Sequence, residues 1–220
     1  MGDRIPRTIH YCWLGGARKP DLIQSCIDSW IRQMPGCDLV CWDETRFDIG
    51  AVKFVQQACE ARKWAFAADY IRLYALYHHG GIYLDTDVRL FKSLDGFLHH
   101  AAFSGVEFHP AMFRESAKRG SNAGLGVQPA VMGAEKHHPW IKRVLDFYED
   151  KEFVNDPRFF NNFIIGGIIA EISAREFGFA YVPLYQVLKH DIHLYPPDVF
   201  LSYPGEENML RYSAHLLASS

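Results

Sequence analysis

Apolar residues along the chain follow two periods, and the points where one gives way to the other mark out the elements. Between Pro20 and Met34, the residues Leu22, Cys26, Trp30 and Met34 form one row of a 3.6-residue helix, with Ile23, Ile27 and Ile31 beside it. Pro20 suits the first helical position. So wide an apolar face predicts a helix packed on a sheet. A second amphipathic helix is predicted over 51–63, with Val52, Val55, Ala58 and Cys59 inward. Short strand-type runs flank the first helix. Ile5 to Leu14 runs into a turn at Gly15-Gly16, and Asp38–Trp42 reads DLVCW. Strand, helix, strand, helix predicts an α/β domain with a mainly parallel central sheet flanked by helices.

The stretch that follows carries the most information. Ala65 to His79 has good helix formers, aromatics at helical spacing and no proline, and it stops at Gly80-Gly81, where a left-handed cap is easy. Asp69 and Arg72 interrupt it three apart, on one helix face in line with Ala65 and Leu76. Ile82-Tyr83-Leu84 is of strand type and ends in Asp85-Thr86-Asp87. In an extended segment, residues two apart point the same way, so the spacing predicts that Asp85 and Asp87 aim at one spot. Oxygen ligands at the end of a strand suit Mg²⁺ or Mn²⁺, above all when a phosphate completes the shell.

Further along, 101–108 and 128–133 read as strands and 139–149 as a helix opening on its proline. The polar, glycine-containing segment 109–126 reads as a long loop, a candidate flap or acceptor-site element. A helix is predicted over 161–177, with Gly166-Gly167 permitting close backbone approach and Asn161 and Asn162 as either acceptor-side residues or a helix cap. Pro183, Pro196, Pro197 and Pro204 make the carboxyl end less regular.

Composition narrows the function classes. At 220 residues and 49% hydrophobic content, the chain can bury one substantial core, so a single domain over 1–220 is expected. Lys and Arg number 23 against 26 Asp and Glu, and no basic stripe points to a nucleic-acid partner. No apolar run approaches the roughly 20 residues of a membrane span, and the amino terminus has no apolar signal region, so a cytoplasmic location is expected. Five cysteines without a Cys-x-x-Cys pair read as buried thiols. The pairs His78-His79, His99-His100 and His137-His138 lack the spacing of a zinc site and read as helix-end and loop residues.

Asp-x-x-Arg on a helix, then Gly-Gly, an aromatic and Asp-x-Asp, at this spacing, resembles the sugar-nucleotide glycosyltransferases of family 32. These include capsular polysaccharide and yeast-type mannosyl enzymes and are similar to the glucosylating clostridial toxins. The resemblance implies a GT-A fold and transfer of a sugar from a nucleoside diphosphate sugar, with UDP favoured, to a glycan or lipid-linked glycan acceptor. It further implies retention of configuration, a Mn²⁺ or Mg²⁺ cofactor, and a place in surface or capsular polysaccharide synthesis with peripheral contact at the inner face of the membrane.

Residue by residue, it implies Asp87 as direct metal ligand and Asp85 on ribose or donor sugar, reaching the metal as well. Asp69 would accept from sugar hydroxyls and Arg72 donate to sugar or diphosphate. Tyr83 would lie near the ribose or base, and Trp13, at the end of the first strand, against the base. The family's carboxyl-terminal segment returns to the metal and diphosphate, which implies roles for His215 and Ser220. Here Ser219 replaces its glycine and the chain stops where its tryptophan would stand, as in a truncated or shortened member. The alternatives are a buried structural Asp69–Arg72 pair, an Asp-x-Asp phosphatase, disfavoured by Arg89 where Thr or Val is needed, and a non-catalytic sugar-nucleotide-binding pseudoenzyme or partner subunit.

Overall fold

The computed structural model describes residues 2–160, 163–201 and 212–215. In chain order its elements are β1 (Thr8–Cys12), α1 (Asp21–Gln33), β2 (Asp38–Trp42), α2 (Lys53–Glu60), α3 (Trp64–His79), β3 (Gly81–Leu84), β4 (Val88–Leu90), β5 (Ala102–Phe108) and α4 (Pro110–Ala117). These are followed by β6 (Leu125–Ala134), α5 (Pro139–Asp146), α6 (Pro157–Phe160), α7 (Ile165–Ile172), β7 (Gln186–Leu188), β8 (Ile192–Tyr195), β9 (Phe200–Leu201) and β10 (Ser213–His215).

Seven strands form the main sheet in the order β2-β1-β3-β6-β5-β8-β7, and β4-β10-β9 form a smaller one. The fold class is the expected α/β. Five of the seven main strands point one way, with β6 and β7 opposed, so that half of the neighbouring pairs are antiparallel. One face is covered by α2, α3, α5 and α7, and the other by α1 and the small sheet.

Local chemistry explains most element limits. Pro20 is the residue before α1, not its first turn. The buried face of α1 is Ile23, Cys26, Ile27 and Trp30, whereas Leu22 and Ile31, expected inward, are 42% and 54% exposed. Trp30 is fully buried, and its indole N–H donates to the Val88 carbonyl at 2.7 Å, which fastens α1 to the strand after the aspartates. The helix expected over 51–63 is shorter. A 3₁₀ turn at Ile49–Ala51 precedes α2, whose buried residues are Phe54, Val55 and Ala58.

The segment 109–126 departs most from expectation. Instead of a loop it holds α4, begun by Pro110, and the Ser116 hydroxyl bonds to the carbonyls of Phe113, Ser121 and Ala123 to turn the chain back into β6. Ser116 is the one residue of α4 that is buried, so the helix shows almost no apolar periodicity. The predicted helix over 161–177 is α7 followed by a π-helical turn at Ser173–Phe177. Within α7, a Cβ on Gly166 would stand 2.9 Å from the Val127 carbonyl oxygen, which is the close approach expected there, while Gly167 faces open space.

Candidate active site

The hand-over from α3 to β3 places the chemistry. Gly80 takes φ 68° and ψ −177°, a backbone region open in practice to glycine alone, in place of the expected left-handed cap. A side chain at Gly81 would meet the Thr8 carbonyl at 2.6 Å. The chain can therefore leave the helix directly into the slot beside β1, and the helix face bearing Asp69 and Arg72 lies over the strand that ends at Leu84.

Three charged groups meet there. Arg72 Nη2 lies 2.5 Å from Asp69 Oδ1 and 3.3 Å from Asp85 Oδ1, and Nη1 donates to the Pro129 carbonyl at 2.8 Å. The guanidinium rests 4.7 Å from the centre of the Tyr83 ring. Burial pushes the Asp69 carboxyl up to about 7 against the pull of Arg72, whose charge is shared with Asp85. Burial opposes the charge on Arg72, yet Asp85, Tyr83 and Asp69 outweigh it and hold the guanidinium more firmly protonated than usual. Tyr83 is 1% exposed and hydrogen-bonded to the Cys12 thiol, and burial raises its phenol well above 10. It stands beneath Arg72 as a support, with no surface open toward a ribose.

The aspartate pair is not extended. Its strand ends at Leu84, and the Val88 N–H donates to the Asp85 carbonyl at 2.9 Å, so Asp85 to Val88 is a turn, a conformation that Asp favours at its first position. The alternation that would aim Asp85 and Asp87 together therefore does not apply. Asp85 faces Arg72, with its side chain 21% exposed. Asp87 is buried, near enough to Cys26 of α1 that its charge helps raise that thiol.

Both aspartates offer oxygen donors alone. That donor set fits Mg²⁺ or Mn²⁺, which keep part of their shell for water and phosphate. The β10 backbone runs antiparallel to β4 and puts His215 opposite Val88, one residue beyond Asp87. Ser220, Asn161 and Asn162 lie outside the described residues.

Trp13 follows β1, which neighbours β3, so it stands at the same strand-end edge as Asp85. It is half-buried, its indole N–H donates to the Ala17 carbonyl at 2.7 Å, and Lys19 Nζ lies 5.4 Å from the ring centre. Beyond it, Gly15 packs on Trp64 of α3, where a Cβ would come within 2.9 Å, and its N–H donates to Glu44 at 2.6 Å.

Sequence reading misses the acceptor that holds Arg72. Pro129 sits inside β6, and the β5–β6 register shifts between Ser104 and Gly105, opposite it. Ser104 Oγ bridges the Gln128 and Val131 carbonyls, while Asp85 N–H donates to Ala130. A proline within a strand marks a bulge, and bulges gather beside active sites to re-aim groups, so Pro129 was the available signal.

Residues 20–104 match the family model described as a glycosyltransferase sugar-binding region containing a DXD motif. Inositol phosphoceramide mannosyltransferase 3 of Schizosaccharomyces pombe is 30% identical over 153 residues, covering 64% of this chain and 36% of the yeast protein. Inositol phosphoceramide mannosyltransferase 2 of the same yeast is 27% identical over 149 residues, or 66% and 39%. The chain thus spans little more than a third of these curated relatives. Among solved structures, the PaToxG glycosyltransferase superposes with a TM-score of 0.54 at 16% identity over 79% of this chain and 70% of that one. Mouse xyloside xylosyltransferase 1 in its apo form superposes at 0.55 and 9% identity over 94% and 96%. Residues 20–104 are thus similar to a DXD-containing glycosyltransferase sugar-binding region, as the motifs imply, and the chain has the GT-A fold of these two solved glycosyltransferases.

Proposed function

We propose that this chain is a metal-dependent glycosyltransferase that takes a sugar from a nucleoside diphosphate sugar and passes it, with retention, to a glycan or lipid-linked glycan. One observation carries the reading: a buried arginine shared between Asp69 and Asp85 at the end of β3, with Asp87 two residues further along the chain. A bound Mn²⁺ or Mg²⁺, held by Asp87 and reached by Asp85, would act as a Lewis acid on the charge that builds on the leaving diphosphate. Asp69 and Asp85 accept hydrogen bonds from sugar or ribose hydroxyls and fix the donor's orientation. Arg72, clamped by Pro129 and propped by Tyr83, keeps both carboxylates in place and presents positive charge toward the sugar-diphosphate link at little reorganisation cost. Trp13 offers its ring to the base. We assign no side chain as covalent nucleophile, so the acceptor hydroxyl attacks from the face the diphosphate leaves.

The sequence pattern favours UDP, whereas the yeast relatives are mannosyltransferases by name, which supports mannose as the sugar. Their names also carry a lipid acceptor, in line with a peripheral approach to a membrane. Among the described residues no helix is long and apolar enough to cross one. The test is calorimetric titration of UDP and GDP, each with and without Mn²⁺, followed by donor turnover with the matching sugars. Metal-dependent binding of one nucleotide together with turnover is the expected result. Binding without turnover would replace the enzyme by a sugar-nucleotide-binding subunit, and no binding of either would overturn the proposal.

A further inference from the structure

We propose that His100, Asp191 and His193 form a second metal site, suited to Zn²⁺ and separate from the strand-end aspartates. Each residue presents a ligand atom, and these lie within 4.8 Å of one another. Ala102 of β5 pairs with both Ala134 of β6 and Ile192 of β8, and Ala134 also pairs with Gly81. The cluster therefore sits where β3, β5 and β8 begin, whereas Asp85 lies past the end of β3. The two groups occupy opposite edges of the sheet.

The cluster has the outer contacts of a built site. His100 is buried, and its Nε2 is 2.8 Å from the Tyr195 hydroxyl, so Nδ1, which has no hydrogen bond among the described residues, is left to serve as ligand. His193 Nδ1 is 2.6 Å from the Tyr185 hydroxyl, and its Nε2 faces Asp191 Oδ1 at 2.8 Å. Asp191 Oδ2 is held by Arg4 at 2.9 Å and by the Ala101 N–H at 3.0 Å, which fixes the carboxylate with Oδ1 toward the histidines. The rings of His100 and His193 stack at 3.6 Å and 20°.

His190 and Asp191 both take left-handed φ, 61° and 57°, as the tight hairpin turn from β7 to β8 requires, and this turn sets Asp191 at the start of β8. Two imidazoles and one carboxylate make a borderline donor set that favours Zn²⁺, and the exposed side of Asp191 leaves a fourth position for water. Zn–ligand bonds of about 2.0–2.1 Å put tetrahedral ligand atoms roughly 3.3 Å apart, so loading opens the 2.8 Å His193–Asp191 contact by roughly 0.5 Å and turns the two stacked rings out of parallel so that both lone pairs reach one ion. On loading, the His193 ring proton moves from Nε2 to Nδ1 and donates to Tyr185, the outer contact that metal-bound histidines commonly make.

Zn²⁺ alone is titrated into the full chain after chelator treatment, with stoichiometry read by equilibrium dialysis and geometry by Co²⁺ absorption. The expected result is one tight equivalent with a tetrahedral Co²⁺ spectrum. Asp87→Asn should retain it, and His193→Gln should weaken it by about 100-fold or more. Tyr185→Phe should weaken it by about 10- to 100-fold, as loss of an outer-shell partner does. Should His193→Gln fail to fold by circular dichroism, Tyr185→Phe decides in its place, because Tyr185 is 48% exposed and tolerates truncation. No tight zinc in the wild type, or a tight equivalent that survives the deciding variant, would overturn the site and leave Asp191 as a hairpin anchor only.

Discussion

Replacing Asp69 with Asn tests the electrostatics of the candidate active site directly. Asp69 is 9% exposed, and the guanidinium that would hold its carboxyl down also serves Asp85. Burial therefore dominates and lifts the group from its ordinary 3.8 to about 7. A carboxyl held above its unfolded value binds more protons folded than unfolded, so its contribution to stability falls as pH rises from 3.8 to about 7 and is level above that. About three pH units at 1.36 kcal/mol each set an upper limit of about 4 kcal/mol. Asn does not titrate. The stability of Asp69→Asn relative to wild type should accordingly climb by up to about 4 kcal/mol between about pH 4 and pH 7, then flatten. Urea denaturation of both proteins across this range measures the difference, in which other titrating groups largely cancel. A flat difference would refute the reasoning, and one that falls as pH rises would show that Arg72 outweighs burial.

Other outcomes follow from the same geometry. Asp87→Asn should reduce Mn²⁺-dependent turnover by about 100-fold or more while the fold stays intact, and normal turnover would remove Asp87 from the metal. Trp13→Ala should raise the donor KM more than it lowers kcat, with little change in urea midpoint because the ring is half-exposed; an unchanged KM would make Trp13 a packing residue. Gly166→Ala should cost about 1–3 kcal/mol, since its Cβ would stand 2.9 Å from the Val127 carbonyl oxygen. Gly167→Ala, in open space on the same helix, should instead be neutral or stabilising by up to about 1 kcal/mol, and equal effects at the two positions would contradict the packing.

Residues whose role is set by their neighbours in sequence were legible before the structure. The β2 limits, the end of α3 at Gly80-Gly81 and the shared face of Asp69 and Arg72 follow from local periodicity and backbone freedom. What sequence could not supply was the third dimension of the site. Arg72 is fixed by a carbonyl 57 positions away, presented by a bulge that a single proline hints at. Spacing alone makes Asp85 and Asp87 neighbours on one side of a strand, but the hydrogen bond from Val88 converts the segment to a turn. His100 is adjacent in sequence to His99 and read as a loop residue, while its partners Asp191 and His193 arrive from β8 through strand pairing. Strands β7 to β10 leave no periodic signal because each is two to four residues long, too short for alternation to register.

The pairing of β10 with β4 has a consequence for how the protein is assembled. β4 directly follows Asp87, yet its hydrogen-bonding partner is separated from it by most of the chain. During synthesis, the large sheet and the Asp69–Arg72–Asp85 cluster can form from segments already emerged, while the edge of β4 waits, open, for a strand made much later. Loop closure over so long a stretch costs only slightly more than over a shorter one, so the delay is one of timing more than of free energy. A nascent or proteolytically trimmed chain lacking residues 213–215 would hold the Asp69–Arg72–Asp85 cluster beside an unpaired strand, and that edge is protected only once β10 pairs with it.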